Sequence, residues 1–233
     1  MSHGKQFTLY SHKMGPNGWK VAMVLEELGL TYESIYLDFF KGEQKAPAYT
    51  QYNPNGRTPT LIDHHNGDLT IWESGAIILY LADKYDQEGK LSPAQDDELG
   101  RHELSQWLFF QASGQGPYFG QLRWFQRRHP EKLPSAITRY QNEVIRVFGV
   151  LESVLSKQAW LLGDKCTVAD ISFVIWNQPV VALGLLSDVE GMDVPTKFPA
   201  FYAWHQKLVA REAVKKILER SSENALAQVE SKH

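Results

Sequence analysis

The stretch Asn53–Ile77, NPNGRTPTLIDHHNGDLTIWESGAI, constrains this chain more than any other. Thr58-Pro59 opens a short apolar run in it, and Glu73-Ser74 opens a helix. Pro54 and Gly56 mark a turn, so Arg57-Thr58-Pro59 enters a strand from that turn. The residue before a proline is held extended, and proline is tolerated at a strand start or edge. Only X–Pro bonds take the cis form cheaply, which makes Thr58–Pro59 a cis candidate. Because proline has no N–H, the Thr58 backbone is left open to an extended peptide pairing as an added strand. Farther along, Leu69, Ile71 and Trp72 hand over to a helical pattern of Ile77, Ile78, Leu81 and Tyr85. The first N–H groups of that helix are unpaired and carry partial positive charge, so they welcome a carboxylate. Ser74 adds a hydroxyl and Glu73 can hold an ammonium. The implied ligand is a short peptide with a free α-amino-acid end.

At 233 residues the chain is long enough for one or two domains with a sizeable core. A net charge of −3 argues against general nucleic-acid binding. Its 1 cysteine excludes an internal disulfide framework and suits a reducing compartment. No apolar run approaches the ~18 residues of a membrane span, and MSHGKQFTLY lacks the apolar core of a signal peptide. These features predict a soluble, cytoplasmic protein that does not engage membranes.

Strands are expected over 6–10, 32–37, 60–62 and 69–71, with helices from Asn17 to Gly29, irregularly over 44–52, and from Ser74 to about Tyr85. Asn17 falls at the N-cap of the first helix. Strand signals then vanish. Leu104, Trp107, Leu108 and Gln111 begin a helix that breaks at Gly114-Gln-Gly-Pro117, and Ile137 to Val154 keep one long apolar stripe. Thr167-Val-Ala-Asp170 reads as a capping box, with Cys166 and Ile171 as its hydrophobic staple. The expected organisation is an α/β domain over 1–86 (βαβαββα), a linker over 87–95, an all-helical domain over 96–220 and a polar tail over 221–233.

The order strand, PNG-helix, strand, TPTL, hairpin, WESGAI resembles the cytosolic glutathione transferases, whose N-terminal domain is thioredoxin-like. PNGWK (16–20), LDFFKGEQKAP (37–47), NPNGRTPTLID (53–63) and IWESGAI (71–77) are similar to its fungal nitrogen-regulator branch, that of the yeast prion protein, and to bacterial nu-class members. The resemblance runs to about Leu218. It implies a glutathione transferase fold, glutathione as co-substrate without a metal, and a homodimer. It also implies disulfide reductase or peroxidase activity, with weak transfer to aromatic electrophiles.

Glutathione must give up its thiol proton near neutral pH, and a helix N-terminus or a donor near the sulfur favours that. Asn17 occupies such a place; Ser11, beside Tyr10, is the runner-up. Thr58, Pro59, Glu73 and Ser74 would hold the tripeptide. Gln44 would meet its glycyl end and Arg57 a carboxylate. Tyr118 and Gln121 would contact the second substrate. Each has a plainer reading: Asn17 as a helix cap, Thr58-Pro59 as a strand entry, Gln44 and Arg57 as solvated polar groups, and Tyr118 and Gln121 as packing. Cys166 reads as a small buried apolar group. Asp63, His64, His65 and Asp68 read as polar hairpin residues rather than metal ligands. The basic-aromatic cluster from Arg123 to Lys132 reads as a solvated loop. The rival function is a regulatory or interaction protein on the same fold. The prion relative carries an Asn/Gln-rich segment ahead of the fold, whereas this sequence opens on the fold, which points to the enzyme.

Overall fold

The computed structural model describes residues 4–230. It falls into two compact units, one spanning Leu91–Leu208, the other gathering the chain up to Lys90 with the segment from Val209 onward.

In the first part of the α/β unit, β1 (Phe7–Ser11) leads into α1 (Pro16–Glu27), and β2 (Tyr32–Tyr36) follows. A 3-10 turn (Glu43–Lys45) and a short α2 (Pro47–Thr50) replace the irregular helix expected over 44–52. The hairpin of β3 (Thr60–Asp63) and β4 (Leu69–Trp72) then delivers the chain to α3 (Ser74–Tyr85). The sheet order is β2-β1-β3-β4, with β1 parallel to β2 and antiparallel to β3. This is the thioredoxin-like arrangement the sequence implies. β1 and β3 are buried almost throughout, as central strands covered on both faces must be. α1 contributes Val21, Met23, Val24 and Leu25, and α3 contributes Ile77, Ile78 and Leu81, each fully enclosed.

Polar groups fasten the helices to this sheet. The Asp63 carboxylate, buried at the end of β3, accepts from the Tyr80 hydroxyl at 2.5 Å and from the Tyr85 hydroxyl, so α3 is tied to the strand it covers. His64 is occupied on both ring nitrogens, by Asp68 at 2.5 Å and Thr8 at 2.8 Å. The last helix, α10 (Glu212–Glu230), runs through most of the expected polar tail; residues 231–233 lie outside the described part. α10 packs on α1, burying Val214 and Ile217, and thus groups with the α/β unit although the sequence placed its start among the other helices. Arg211 grips Glu27 through Nε and an Nη, both at 2.6 Å. That fork is partly shielded, so it contributes more than the exposed Lys216–Glu26 pair at 2.8 Å.

The other unit is helical: α4 (Glu98–Phe110), α5 (Gly116–Arg127), α6 (Pro134–Leu155), α7 (Val168–Leu183), α8 (Val194–Lys197) and α9 (Pro199–Val209). α4 and α5 are not separated by a break. A π-helical turn, Gln111–Gln115, joins them. Pro117 is the second residue of α5, directly after that π turn, and does not end the helix. The cluster expected as a loop from Arg123 forms the last turns of α5 up to Arg127. α7 is the hub, with ten of its residues buried. Its capping box is present: the Thr167 N–H and hydroxyl both donate to Asp170, at 2.8 and 2.9 Å. Cys166 is buried beside the box. Phe148 and Phe201 stack at 4.1 Å, and Trp204 follows Phe201 at 5.9 Å. No helix among the described residues is long and apolar enough to cross a membrane.

Candidate functional site

Strand register decides where the candidate residues meet. Tyr10 of β1 pairs with Thr60 of β3, and Thr60 pairs with Trp72 of β4. The exit of β1, the approach to β3 and the exit of β4 therefore share one end of the sheet. Asn17 follows the first of these, Thr58-Pro59 precedes the second, and Glu73-Ser74 follows the third.

The Thr58–Pro59 peptide is cis, as the sequence suggested. The loop holding it is clamped from beneath. The Arg57 carbonyl accepts from the Tyr49 hydroxyl at 2.6 Å and from Asn53 Nδ2 at 2.7 Å. The same two side chains reach the Thr60 hydroxyl, at 2.8 and 3.2 Å. Buried polar groups satisfied this fully fix one backbone path. Arg57 itself projects outward and is exposed. The positive φ of Gly56, +61°, lets the chain pass against the Gln44 carbonyl; a Cβ there would come within 2.8 Å of that oxygen. Gln44 Oε1 is buried with no hydrogen-bond partner.

α1 begins two residues earlier than a cap at Asn17 implies. Gly15 is the N-cap and Pro16 the first helical residue, leaving Asn17 inside the first turn. Proline's fixed φ and absent N–H suit that first position, which displaces Asn17 from the cap. Asn17 thus does not cap the helix; it stands among the amides of its positive end. Gly15 brings this turn to Thr58, since a Cβ on it would lie 3.7 Å from the Thr58 hydroxyl. Gly18 presses still closer on β1: a Cβ there would be 1.9 Å from Ser11 Oγ. Ser11 is only 2% exposed and its hydroxyl has no partner, so α1 covers the runner-up residue.

Glu73 is the N-cap of α3 and holds φ +69°, ψ 116°. A non-glycine residue there costs on the order of 1–3 kcal/mol, persists only where its surroundings over-determine it, and recurs at ligand clamps. Ser74, next to it, is largely buried. Beneath α1 lies Lys20, 1% exposed. Burial pulls its ammonium down to about 7, against the opposing pull of the Glu73 carboxylate. A buried amine thus interacts with the strained glutamate.

Tyr118 and Gln121 belong to the helical unit, one turn apart on α5. Tyr118 lies against Tyr140 of α6, ring centres 6.3 Å apart, and Gln121 is exposed.

Two family models match the chain. The glutathione S-transferase N-terminal domain matches residues 5–83, and the C-terminal domain matches 118–212. The chain is 52% identical to glutathione S-transferase 1 of Schizosaccharomyces pombe, covering 93% of this chain and 97% of that one. The chain belongs to the glutathione S-transferase family.

Two solved structures refine the placement within the family. Glutathione transferase URE2P6 from Phanerochaete chrysosporium, in complex with oxidized glutathione, is 60% identical with a TM-score of 0.90, covering 96% of this chain and 100% of that one. The nitrogen regulation fragment of the yeast prion protein Ure2p is 42% identical with a TM-score of 0.83, covering 94% and 98%. The chain is thus similar to Ure2-like fungal relatives, as its PNG and GEQKAP motifs suggested. Lys20, Tyr49 and Asn53 were not singled out as site residues from sequence. Tyr49 and Asn53 both precede the Pro54–Gly56 turn, and an amide just before a turn was the available signal. Lys20 offered only a charge on the apolar face of α1.

Proposed function

We propose that this chain binds glutathione and passes its thiolate to a small disulfide or peroxide. The tripeptide backbone pairs with Thr58 ahead of Pro59, and Glu73-Ser74 at the start of α3 holds its α-amino-acid head. Gln44 meets the glycyl end and Arg57 a carboxylate. The sulfur lies at the first turn of α1, where Asn17 and the helix field favour the anion. The convergence of these segments at one end of the sheet carries the reading. The relative crystallised with oxidized glutathione supports it.

The thiolate attacks one disulfide sulfur, the S–S bond breaks, and the departing thiolate takes up a proton. A second glutathione resolves the mixed disulfide, so two glutathiones become one oxidized glutathione and the disulfide becomes two thiols. Cys166, buried under the α7 cap, takes no part. Tyr118 and Gln121 meet the second substrate. A homodimer and a cytoplasmic location complete the proposal. A second reading, a regulatory protein on this fold, is favoured by the likeness to the nitrogen regulation fragment.

Turnover of 2-hydroxyethyl disulfide separates the two. Asn17→Ala is expected to lower kcat about 100-fold, the loss typical of one donor aimed at a developing anion, while KM for glutathione stays within about threefold. Unchanged turnover in the variant would remove Asn17 from the chemistry. Failure of the wild type to bind glutathione would favour the regulator.

A further inference from the structure

The π turn between α4 and α5 carries an arrangement that a helical core does not need for stability alone. Gln111, Gln115 and Asn177 are each at most 1% exposed. Gln111 Nε2 donates to Gln115 Oε1 at 3.0 Å, and Gln115 Nε2 donates to Asn177 Oδ1 at 2.7 Å and, more weakly, to the Phe173 carbonyl at 3.4 Å. Asn177 Nδ2 is buried without an acceptor. Burying three carboxamides, one donor unsatisfied, costs more than filling the space with apolar side chains. What such a chain supplies is a single permitted arrangement.

The arrangement it fixes is rotational. A helix turns about 100° per residue, so the extra residue of a π turn resets every side chain after it. On one flank of α5, Gly116 and Gly120 face Trp176, the neighbour of Asn177; a Cβ at either would approach the indole to 3.7 or 3.5 Å. Phe119 and Leu122 fill the core. Tyr118 is then left roughly opposite the glycines, at ~100° per residue, against Tyr140.

We propose that the Gln111–Gln115–Asn177 amide chain is a positioning element: it holds the π turn and so sets the rotation of α5 that aims Tyr118 and Gln121 at the second substrate. This rests on the reading of those two residues as second-substrate contacts.

Four proteins test it: wild type, Gln115→Met, a triple variant (Gln111→Met, Gln115→Met, Asn177→Leu) and Tyr118→Ala. The readouts are KM for 2-hydroxyethyl disulfide, KM for glutathione, and thermal midpoint. Gln115→Met is expected to raise the disulfide KM about tenfold, with glutathione KM within twofold, because misplacement acts on one substrate alone. It also lowers the midpoint by orphaning its partners. The triple variant, with no amide left to orphan, is expected to recover the midpoint but keep the raised disulfide KM. Recovery of both together would mean a purely structural chain and overturn the proposal, as would an unchanged KM in both variants. Tyr118→Ala is expected to raise the disulfide KM as well. No change there would remove the second-substrate reading, and the positioning role with it.

Discussion

Asp170→Ala is expected to cost about 3–5 kcal/mol, because it orphans several buried donors at roughly 1–3 kcal/mol each before the site relaxes. The Asp170 carboxylate is fully enclosed. It accepts from the Leu161 N–H at 2.9 Å, the Thr167 N–H at 2.8 Å, the Thr167 hydroxyl at 2.9 Å and Trp204 Nε1 at 2.9 Å. It thereby caps α7 while tying the preceding loop and α9 to it. Burial pushes its pKa up, and these hydrogen bonds pull it back. Alanine would leave four donors in the core without an acceptor, each carrying a desolvation penalty. Urea denaturation checks this through the shift in midpoint at constant slope. A loss below about 1 kcal/mol, the scale of an ordinary exposed cap, would mean that the carboxylate is replaced by water or by a shifted backbone.

The second large effect depends on pH. His205 is 1% exposed on α9, with Nε2 facing Gln178 Oε1 at 3.1 Å and Nδ1 buried without a partner. Burial lowers its pKa from 6.5 to about 4. Between those values the unfolded chain binds a proton that the folded chain refuses. Stability is therefore complete above pH 6.5 and falls as pH drops towards and through about 4. At 1.36 kcal/mol per unit, the full loss is on the order of 3 kcal/mol. His205→Gln, which cannot titrate, is expected to flatten the stability profile over that interval relative to wild type. Parallel profiles for the two proteins would rule out His205 as the acid-sensitive group.

Much of this was legible in the sequence because local signals agreed with tertiary ones. Thr58-Pro59, Glu73-Ser74 and the Thr167–Asp170 box each announce a backbone event through residue chemistry, and each occurs where expected. Three features were not legible. Pro16 shifted the α1 cap to Gly15, because a proline at the first helical position outcompetes an asparagine cap one residue later. Gly114-Gln-Gly-Pro117 looked like a break. The chain instead continues through a π turn whose buried glutamines are partnered from α7, distant in sequence. The polar residues 221–230 suggested a tail, yet they continue α10, whose first turns bury Val214 and Ile217 as it packs on α1. In each case a long-range partner or a fixed φ outweighed local composition.

The most direct test of the glutathione site is an ultraviolet titration of the bound thiol, following thiolate absorbance against pH in wild type and in Asn17→Ala. Free thiols ionise near pH 8.5. The bound thiol in wild type is expected to ionise at least one unit below that, with Asn17→Ala returning most of the way to the free value. Bound glutathione that titrates like the free tripeptide in both proteins would contradict thiolate formation at the first turn of α1.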